Sequence, residues 1–324
     1  MIKKSKKVLR YLLALIITVS ILYVLLQHVS IDEIVNVILR IPIRYLILGF
    51  LIYTTNIVFR VFRFMVLLDG RLGLVELFQI VNISTLANNI FPLRTGELSY
   101  IYLVKKTGNV RLSQTIASLI IARLFDFIAI CLIFLFCVLL MRDIPQLFLS
   151  VLYIVGLFVF LFLCVLALFF VYKKILIKAL WRVIEKAGLS RFKYINLFMS
   201  KLEELLHAFS VIKTSKIVLV LFFSIMSFIL SCLLGALLLF ASGYSFPLLN
   251  ISLGVIILKL TTILPINGIA GFGSSEGIWT LVFIPMGMDK ESAIITGFVI
   301  HIVNLVYISI LGILAIGRVD LRGG

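Results

Sequence analysis

The chain has 324 residues, of which 63% are hydrophobic and 14% are charged, and its mean hydropathy is +1.24. A soluble domain carries about 25% charged residues, so this composition excludes a soluble globular protein and predicts a membrane protein. The formal net charge of +16 at pH 7 would suggest a nucleic-acid partner in a soluble protein. Here the basic residues cluster at the ends of apolar segments, as the positive-inside rule requires, so we expect no nucleic-acid partner.

Several apolar segments are long enough to cross a bilayer, for which about 20 residues are needed. In chain order they cover approximately residues 8–27, 43–60, 113–140, 150–172, 217–241 and 291–317. The first follows a lysine-rich N-terminus, but it is longer than the apolar part of a signal peptide and shows no small-residue cleavage site. We therefore expect it to be retained as a helix.

Two further apolar segments, at about 74–92 and 250–265, run into proline and glycine residues. Irregular backbone is tolerated at membrane depth only where it is buried in protein or lines a cavity. We therefore expect each of these segments to form a broken or re-entrant helical hairpin. The sequence predicts an all-α integral membrane protein with about six full spans and two such hairpins.

Basic residues in the connecting segments give the orientation. The groups that fall on one side are the N-terminal lysines, residues 60–71, residues 105–111, the segment 173–216 and Arg318. By the positive-inside rule this side is the cytoplasm, so we expect a multi-pass protein of the cell (cytoplasmic) membrane with both termini cytoplasmic. Apolar residues at helical spacing within 173–216 predict an amphipathic linker on the membrane surface.

The two broken segments share a sequence pattern. In each, an apolar half-helix is followed by a proline, a glycine turn and a hydroxyl-x-Glu unit that opens a new helix. Thr95 and Glu97 form this unit in the first segment, and Ser274 and Glu276 form it in the second, 179 positions later.

Polar pairs follow both units at a matching distance. Arg123 and Asp126 correspond to His301 and Asn304, 178 positions later, and residues three apart share one face of a helix. We interpret the two matches as an inverted-topology repeat, in which binding sites lie where broken helices meet. The single transmembrane domain would comprise a first repeat at about 43–140, the linker at about 173–216 and a second repeat at about 217–317.

The motif residues suit an anionic head group. A helix that begins at Thr95 or Ser274 directs unpaired backbone N–H groups and the positive end of its dipole toward a ligand. Arginine guanidinium groups match the geometry of phosphate. The residues expected to bind the lipid phosphate are Arg94, Arg123, Asn89, Thr95, Gly96, Ser274 and Ser275.

The remaining motif residues are assigned to charge balance and to the turns. Charges inside a membrane are costly and face one another or a wet cavity, so we expect Glu97 and Glu276 to pair with the arginines or to take up protons. The residues assigned to charge balance or proton coupling are Glu97, Glu276, Asp126, His301 and Asn304. The residues assigned to the hairpin turns are Pro92, Pro265, Gly268, Gly271 and Gly273.

Purely structural roles stay open for many of these residues. A glutamate in the first turn of a helix is favoured by the dipole without any ligand, and an arginine near the interface can snorkel to it. We interpret Arg60 and Arg63 as topology anchors. A structural role alone is also open for Arg94, for Arg123 paired with Asp126, for His301, and for Asn88 and Asn89.

The cysteines indicate neither a disulfide nor a metal site. None of them forms a CxxC pair or neighbours a histidine, so we expect no cofactor. All lie inside apolar segments, at Cys131, Cys137, Cys164 and Cys232.

The motifs resemble those of a known family. The first signature is Asn89-x-x-Pro92-x-Arg94-x-Gly96-Glu97 followed by Arg123-x-x-Asp126, and the second is Leu264-Pro265 with the glycine run and Glu276. They resemble the transmembrane region of lysylphosphatidylglycerol synthases, also described as flippase-like. The resemblance implies a membrane domain that moves lipids between leaflets. In the synthases a cytoplasmic aminoacyl-transferase domain follows, and since none follows the last apolar segment here, we expect no lysyl transfer by this chain.

The sequence therefore predicts a transporter or flippase for an anionic membrane lipid, either a phospholipid or a polyprenyl-phosphate-linked carrier. One alternative is a non-transporting scaffold or subunit for a separately encoded lipid-modifying enzyme. Another is an intramembrane lipid-phosphate transferase, although no nucleotide loop, metal cluster or nucleophile supports it. A homo-oligomer is compatible with the sequence.

Overall fold

A computed structural model describes residues 18–90, 96–108, 110–141, 146–186, 214–261 and 269–318 of the chain. All regular secondary structure in these ranges is helical. The helices, numbered in chain order, are α1 (Thr18–Leu26), α2 (Ile31–Arg40), α3 (Ile43–Leu67), α4 (Leu74–Ile90), α5 (Gly96–Gly108), α6 (Leu112–Leu140), α7 (Gln146–Lys186), α8 (Thr214–Ala241), α9 (Leu248–Thr261), α10 (Ser274–Phe283) and α11 (Lys290–Ile316).

Four of these helices, α3, α6, α8 and α11, are long and apolar enough to cross a membrane. They coincide with the predicted spans at 43–60, 113–140, 217–241 and 291–317, so the expectation of a multi-pass helical membrane protein is confirmed. At about 1.5 Å per residue each exceeds the thickness of the hydrocarbon core, which is about 30 Å. The predicted span at 8–27 is described only from Thr18 onward, and it stays a prediction.

Helix α7 contains the predicted span at 150–172 and extends beyond it. It runs for 41 residues without a break, which corresponds to about 60 Å. Residues 173–186, predicted to belong to the surface linker, therefore continue the preceding helix instead of starting a new one. The rest of the predicted linker, up to residue 213, lies outside the described residues.

The N-terminal part of the described chain bends sharply. The axes of α1 and α2 differ by 81°. Ser30 caps α2, because its Oγ accepts a hydrogen bond from the Glu33 backbone N–H at 3.2 Å and its own N–H donates to Glu33 Oε2 at 2.9 Å. Such a capping box satisfies two backbone N–H groups at the start of the helix. The apolar side of α1, including Leu25, packs against Ile294 and Phe298 of α11.

Each predicted broken segment forms two short helices that pack together. In the first, α4 and α5 are antiparallel: Ser99 Oγ donates to Ser84 Oγ at 3.4 Å, and a Cβ on Gly96 would overlap the backbone of Asn88. In the second, α9 packs against α10, and a Cβ on Gly254 would overlap the ring of Phe283. The absence of a side chain at these glycines lets the paired helices approach closely.

Helices of the N-terminal half pack against helices of the C-terminal half. Helices α3 and α8 pack along their whole length in antiparallel orientation, from the ion pair of Asp69 with Lys216 at one end to the rings of Tyr45 and Phe240, 5.9 Å apart, at the other. Helix α11 packs against α4 and α3, where the Tyr307 hydroxyl donates to the backbone carbonyl of Leu46 at 2.7 Å. The core therefore consists of helices from both halves.

Close packing of α11 on α4 depends on a glycine. A Cβ on Gly312 would lie 2.7 Å from the Cβ of Leu86, so we expect Gly312→Ala to destabilise the protein by about 1–3 kcal/mol through overpacking. The measurement is the thermal unfolding midpoint of purified protein in detergent.

The matched control for this prediction is Gly317→Ala at the end of the same helix. There the nearest neighbour of an added Cβ is 3.9 Å away, and alanine is the better helix former. We expect its midpoint to be unchanged or slightly higher. Equal midpoints for the two variants would contradict the proposed packing.

Candidate functional site

A cavity of about 510 Å³ lies among the helices of both halves. Its volume is within the range of about 300–1,000 Å³ that is typical of ligand pockets. Most of the side chains that line it are polar or charged. They come from α3 (Asn56, Arg60), α4 (Thr85, Asn88, Asn89), α5 (Glu97), α6 (Arg123, Asp126, Phe127, Ile130), α8 (Ser224, Ser227, Phe228, Ser231) and α9 (Lys259).

A buried ion pair supports one wall of this cavity. Arg63 of α3 is only 2% exposed, and its Nη1 contacts Asp126 Oδ1 of α6 and donates to Ser224 Oγ of α8 at 2.9 Å. Its guanidinium therefore joins three helices that are distant in sequence. A charge held this deep in a membrane protein requires such a partner.

A second ion pair faces the cavity. Arg123 of α6 donates to Glu97 Oε1 of α5 through Nε at 3.1 Å and is 2.9 Å from it through Nη2. Its Nη1 also lies 3.8 Å from Asp126 Oδ2. The side chains of Arg123 and Glu97 are 39% and 28% exposed, so this pair, unlike Arg63, is accessible from the cavity.

A separate polar cluster lies at the start of α10. Glu276 is fully buried, and its Oε2 accepts a hydrogen bond from the Gly273 backbone N–H at 2.8 Å. Its Oε1 is 2.5 Å from His301 Nδ1 of α11, and His301 Nε2 is 3.1 Å from the backbone carbonyl oxygen of Ala270. The same carboxylate thus caps one helix and binds a side chain of the next.

The geometry of this cluster requires a shared proton. A carbonyl oxygen can only accept, so His301 Nε2 must carry a hydrogen. The hydrogen between Nδ1 and the carboxyl oxygen then belongs either to the imidazolium or to a neutral Glu276. In both cases one proton lies between His301 Nδ1 and the carboxyl oxygen of Glu276, and the two side chains together have no net charge.

The turn before α10 has an unusual backbone. Ala270 has φ of 54°, and Gly271 and Gly273 have φ of 79° and 80°, a region that favours glycine. A Cβ on Gly271 would lie 3.3 Å from His301 Nε2 and 3.2 Å from Ser275 Oγ. Ser274 Oγ donates to the Gly271 carbonyl at 2.9 Å. The turn is therefore fitted closely around the His301 ring.

The predicted site residues fall into two groups within the described part of the chain. Those that line the cavity are Asn89, Glu97, Arg123 and Asp126, with Gly96 packed against Asn88 beside it. Those at the start of α10 are Gly271, Gly273, Ser274, Ser275, Glu276 and His301. Asn304 donates to the Ile300 carbonyl of its own helix at 3.0 Å. The predicted residues Pro92, Arg94, Thr95, Pro265 and Gly268 lie outside the described residues.

The pairing of the two glutamates agrees only in part with the expectation from the sequence. Glu97 pairs with an arginine, whereas Glu276 pairs with His301. Arg123 and Asp126 contact each other, as the structural interpretation proposed, but each has a closer partner on another helix.

Several cavity residues were not anticipated from the sequence. Arg63 was interpreted as a topology anchor, but it is buried in an ion pair, because α3 continues to Leu67. Arg60, three residues earlier on the same helix, lines the cavity. Arg60 and Arg63 both lie inside an apolar helix, where a charge requires a partner, and this feature of the sequence could have indicated their place at the cavity. The other unanticipated residues are Asn56, Ser224, Ser227, Ser231 and Lys259.

The described residues show no metal centre. In these ranges, no three His, Cys, Asp or Glu side chains are arranged to hold an ion. The polar side chains that line the cavity carry guanidinium, ammonium, carboxylate, amide and hydroxyl groups.

Sequence comparison gives one match that covers nearly the whole chain. The profile of the lysylphosphatidylglycerol synthase transmembrane region matches residues 11–312. The chain belongs to this family. Both signatures of this transmembrane region lie within the match, so the resemblance found in the motifs is confirmed. Membership identifies a membrane protein connected with lipid metabolism. No curated protein and no solved structure matches the sequence significantly.

In this member of the family the ion pair of Arg63 with Asp126 is buried, whereas the ion pair of Asp69 with Lys216 is exposed, so removing them should differ in cost. Asp126→Asn leaves the buried Arg63 without a carboxylate, which costs about 3–5 kcal/mol. Asp69→Asn makes the same change at the exposed pair with Lys216, where we expect a loss of less than about 1 kcal/mol. Thermal unfolding in detergent measures both, and similar losses would contradict the structural role of Asp126.

The shared proton at Glu276 leads to a second prediction. Glutamine at this position can donate to His301 Nδ1 and accept from the Gly273 N–H, so we expect Glu276→Gln to remain within about 1 kcal/mol of the natural protein. Glu276→Leu leaves both groups without a partner, and we expect it to unfold at a clearly lower temperature.

The control for this prediction is Glu291→Leu, which removes an exposed glutamate from the first turn of α11 and should have little effect on the unfolding midpoint. If Glu276→Gln were as unstable as Glu276→Leu, the carboxylate charge itself would be essential and the pair would be an imidazolium–carboxylate pair.

Proposed function

We propose that this protein transports an anionic lipid across the cytoplasmic membrane, in the manner of a flippase, with the head group passing through the cavity between the two halves. The observation that carries this proposal is the excess of positive charge around the cavity. A phospholipid or a polyprenyl-phosphate-linked carrier would supply the negative group.

The charges around the cavity do not balance among the described residues. Three arginines, Arg60, Arg63 and Arg123, stand against two carboxylates, Glu97 and Asp126. An uncompensated positive charge within a membrane is costly, and a phosphate bound there would offset this cost. Arginine is well suited to that role, because its planar guanidinium can form two parallel hydrogen bonds to phosphate oxygens.

The order of the helices supports an inverted-topology repeat. In the first half a long helix (α3) is followed by two short helices (α4, α5) and a long one (α6), and the second half repeats this order with α8, α9, α10 and α11. The first helices of the two halves, α3 and α8, are antiparallel, as such a repeat requires. We propose that the hairpins α4–α5 and α9–α10 enter from opposite sides, and that the predicted spans at 8–27 and 150–172 complete six passes with both termini cytoplasmic.

Corresponding ion pairs in the two halves support the same arrangement. Glu97 opens α5 and pairs with Arg123 of α6, and Glu276 opens α10 and pairs with His301 of α11. An arginine cannot release its proton in a protein, whereas a histidine can. We therefore propose that the first pair balances charge and that the second can take up and release a proton during transport.

Transport can be tested with purified protein in liposomes that contain a fluorescent phosphatidylglycerol or a fluorescent phosphatidylcholine with identical chains. Chemical quenching of the outer leaflet then reports movement between leaflets. We expect faster movement of the anionic lipid. Lys259→Gln removes one positive charge from the cavity, and we expect it to slow this movement about tenfold.

The control for the transport test is Lys290→Gln, which removes a positive charge from the exposed start of α11, next to His28. We expect this variant to move lipid at the natural rate. Equal rates for the two lipids, or for Lys259→Gln and the natural protein, would refute anionic-lipid transport through this cavity.

A further inference from the structure

Most polar side chains that line the cavity already have partners. Asn56 Nδ2 donates to the Ser227 carbonyl and to Ser231 Oγ, and Ser231 Oγ donates to the same carbonyl at 3.1 Å. Asn89 Nδ2 donates to the Thr85 carbonyl at 2.8 Å. The contacts of Asn56 hold α3 and α8 together, as amide and hydroxyl groups commonly do within membranes, whereas the hydrogen bonds that Ser231 and Asn89 donate stay within their own helices. They leave few of these donors for a ligand.

Two of the arginines are also held in ion pairs. Arg63 is paired with Asp126 and Ser224, and Arg123 is held by Glu97 through two nitrogens. Removing either from its carboxylate to bind a ligand would leave that carboxylate without its nearest positive partner, which is costly. Their geometry therefore fits a role in forming the walls of the cavity.

Arg60 differs from these two arginines, because it lines the cavity without an ion pair to any described residue. It lines both the main cavity and a narrow extension of about 20 Å³, which Ser84 and Tyr100 also line. Among the described residues, no carboxylate lies within ion-pair distance of its guanidinium and no acceptor is bound to it. It also lies on the same face of α3 as Arg63, three residues away, so a second positive charge is close to it, and Asp126 in the same cavity is already paired with Arg63.

Such a cation needs a negative partner. An arginine in the membrane interior, near other arginines and without a carboxylate in ion-pair contact, raises the free energy of the folded protein. A bound anion removes this cost, and the cavity next to Arg60 provides the space for it. Lys259 lines the same cavity from α9, in the second half of the chain.

We propose that Arg60 is the residue that binds the phosphate of the lipid head group. Lys259 adds a second positive charge from the other half, and Arg63 and Arg123 form the walls. This inference rests on the proposed lipid transport and deepens it. It assigns the ligand class as a lipid phosphate with net negative charge, in preference to a zwitterionic lipid with the same chains.

The test is equilibrium binding to the purified full-length protein in detergent. The probes are short-chain phosphatidylglycerol, phosphatidylcholine with the same chains, and inorganic phosphate. Arg60→Gln should weaken phosphatidylglycerol binding at least tenfold, because a charge-assisted hydrogen bond contributes about 1.5–3 kcal/mol. The matched control is Arg44→Gln on the same helix, where Arg44 lies over the Tyr45 ring at 5.0 Å, away from the cavity-lining set. This control should bind within twofold of the natural protein.

Two further variants keep the inference falsifiable. Arg60→Lys retains the positive charge but lacks the planar guanidinium, so its affinity for phosphatidylglycerol should lie between those of the natural protein and Arg60→Gln. If Arg60→Gln does not fold, the affinity of Arg60→Lys tests the role of Arg60. Glu97→Gln/Arg123→Gln removes one charge of each sign and should weaken binding less than Arg60→Gln. Natural affinity in both Arg60 variants, or a greater loss in the Glu97/Arg123 variant, would overturn the role of Arg60.

The remaining outcomes separate this inference from the proposed function. If the natural protein binds phosphatidylglycerol more tightly than phosphatidylcholine but the Arg60 variants do so equally well, only the inference fails. If it shows no preference for the anionic lipid, the proposed function fails as well. Inorganic phosphate that displaces the lipid at similar concentration would identify a free anion as the ligand and overturn the lipid assignment.

Discussion

The contact of Arg63 with Asp126 and Ser224 connects three of the long helices at one point. In water such a contact would contribute little, because solvent competes for each charge. Inside a membrane neither partner has a comparable alternative, so α3, α6 and α8 must meet where these side chains meet. The cavity lies beside this junction, and its shape follows from it. Elsewhere in the molecule, close contacts at Gly96 and Gly254 bring the two short helices of each hairpin together, and the contact at Gly312 brings α11 against α4.

The corresponding positions of the two halves differ in chemistry. Both begin a short helix with a glutamate that contacts the next long helix. In the first half the contact is with a permanently charged arginine at the edge of the cavity, and in the second it is with a histidine enclosed by the turn at Ala270 and Gly271. The corresponding positions of the two halves therefore carry a permanently charged guanidinium in one case and an imidazole in the other.

Much of the fold follows from local features of the sequence. Long apolar runs predicted the four spanning helices, and proline and glycine within shorter runs predicted the breaks after α4 and α9. Pairing of Glu97 with an arginine could be anticipated, since an intramembrane carboxylate requires a positive partner. By contrast, the contacts of Asn56 with Ser227 and of Arg63 with Ser224 join residues 171 and 161 positions apart. Helical periodicity carries no information about such distant partners, so Lys259 and the serines of α8 could not be assigned to the site.

The pairing of α3 with α8 limits how the molecule can change shape. An ion pair at one end, aromatic contacts such as Phe62 with Phe223, and the amide–serine network in the middle fasten the two helices along their length. Sliding one helix past the other would break all of these contacts together, whereas rotation about their common axis would break few. This pair is therefore the fixed part of the molecule. In the proposed transport, access to the cavity would change through movement of the hairpins α4–α5 and α9–α10 relative to it.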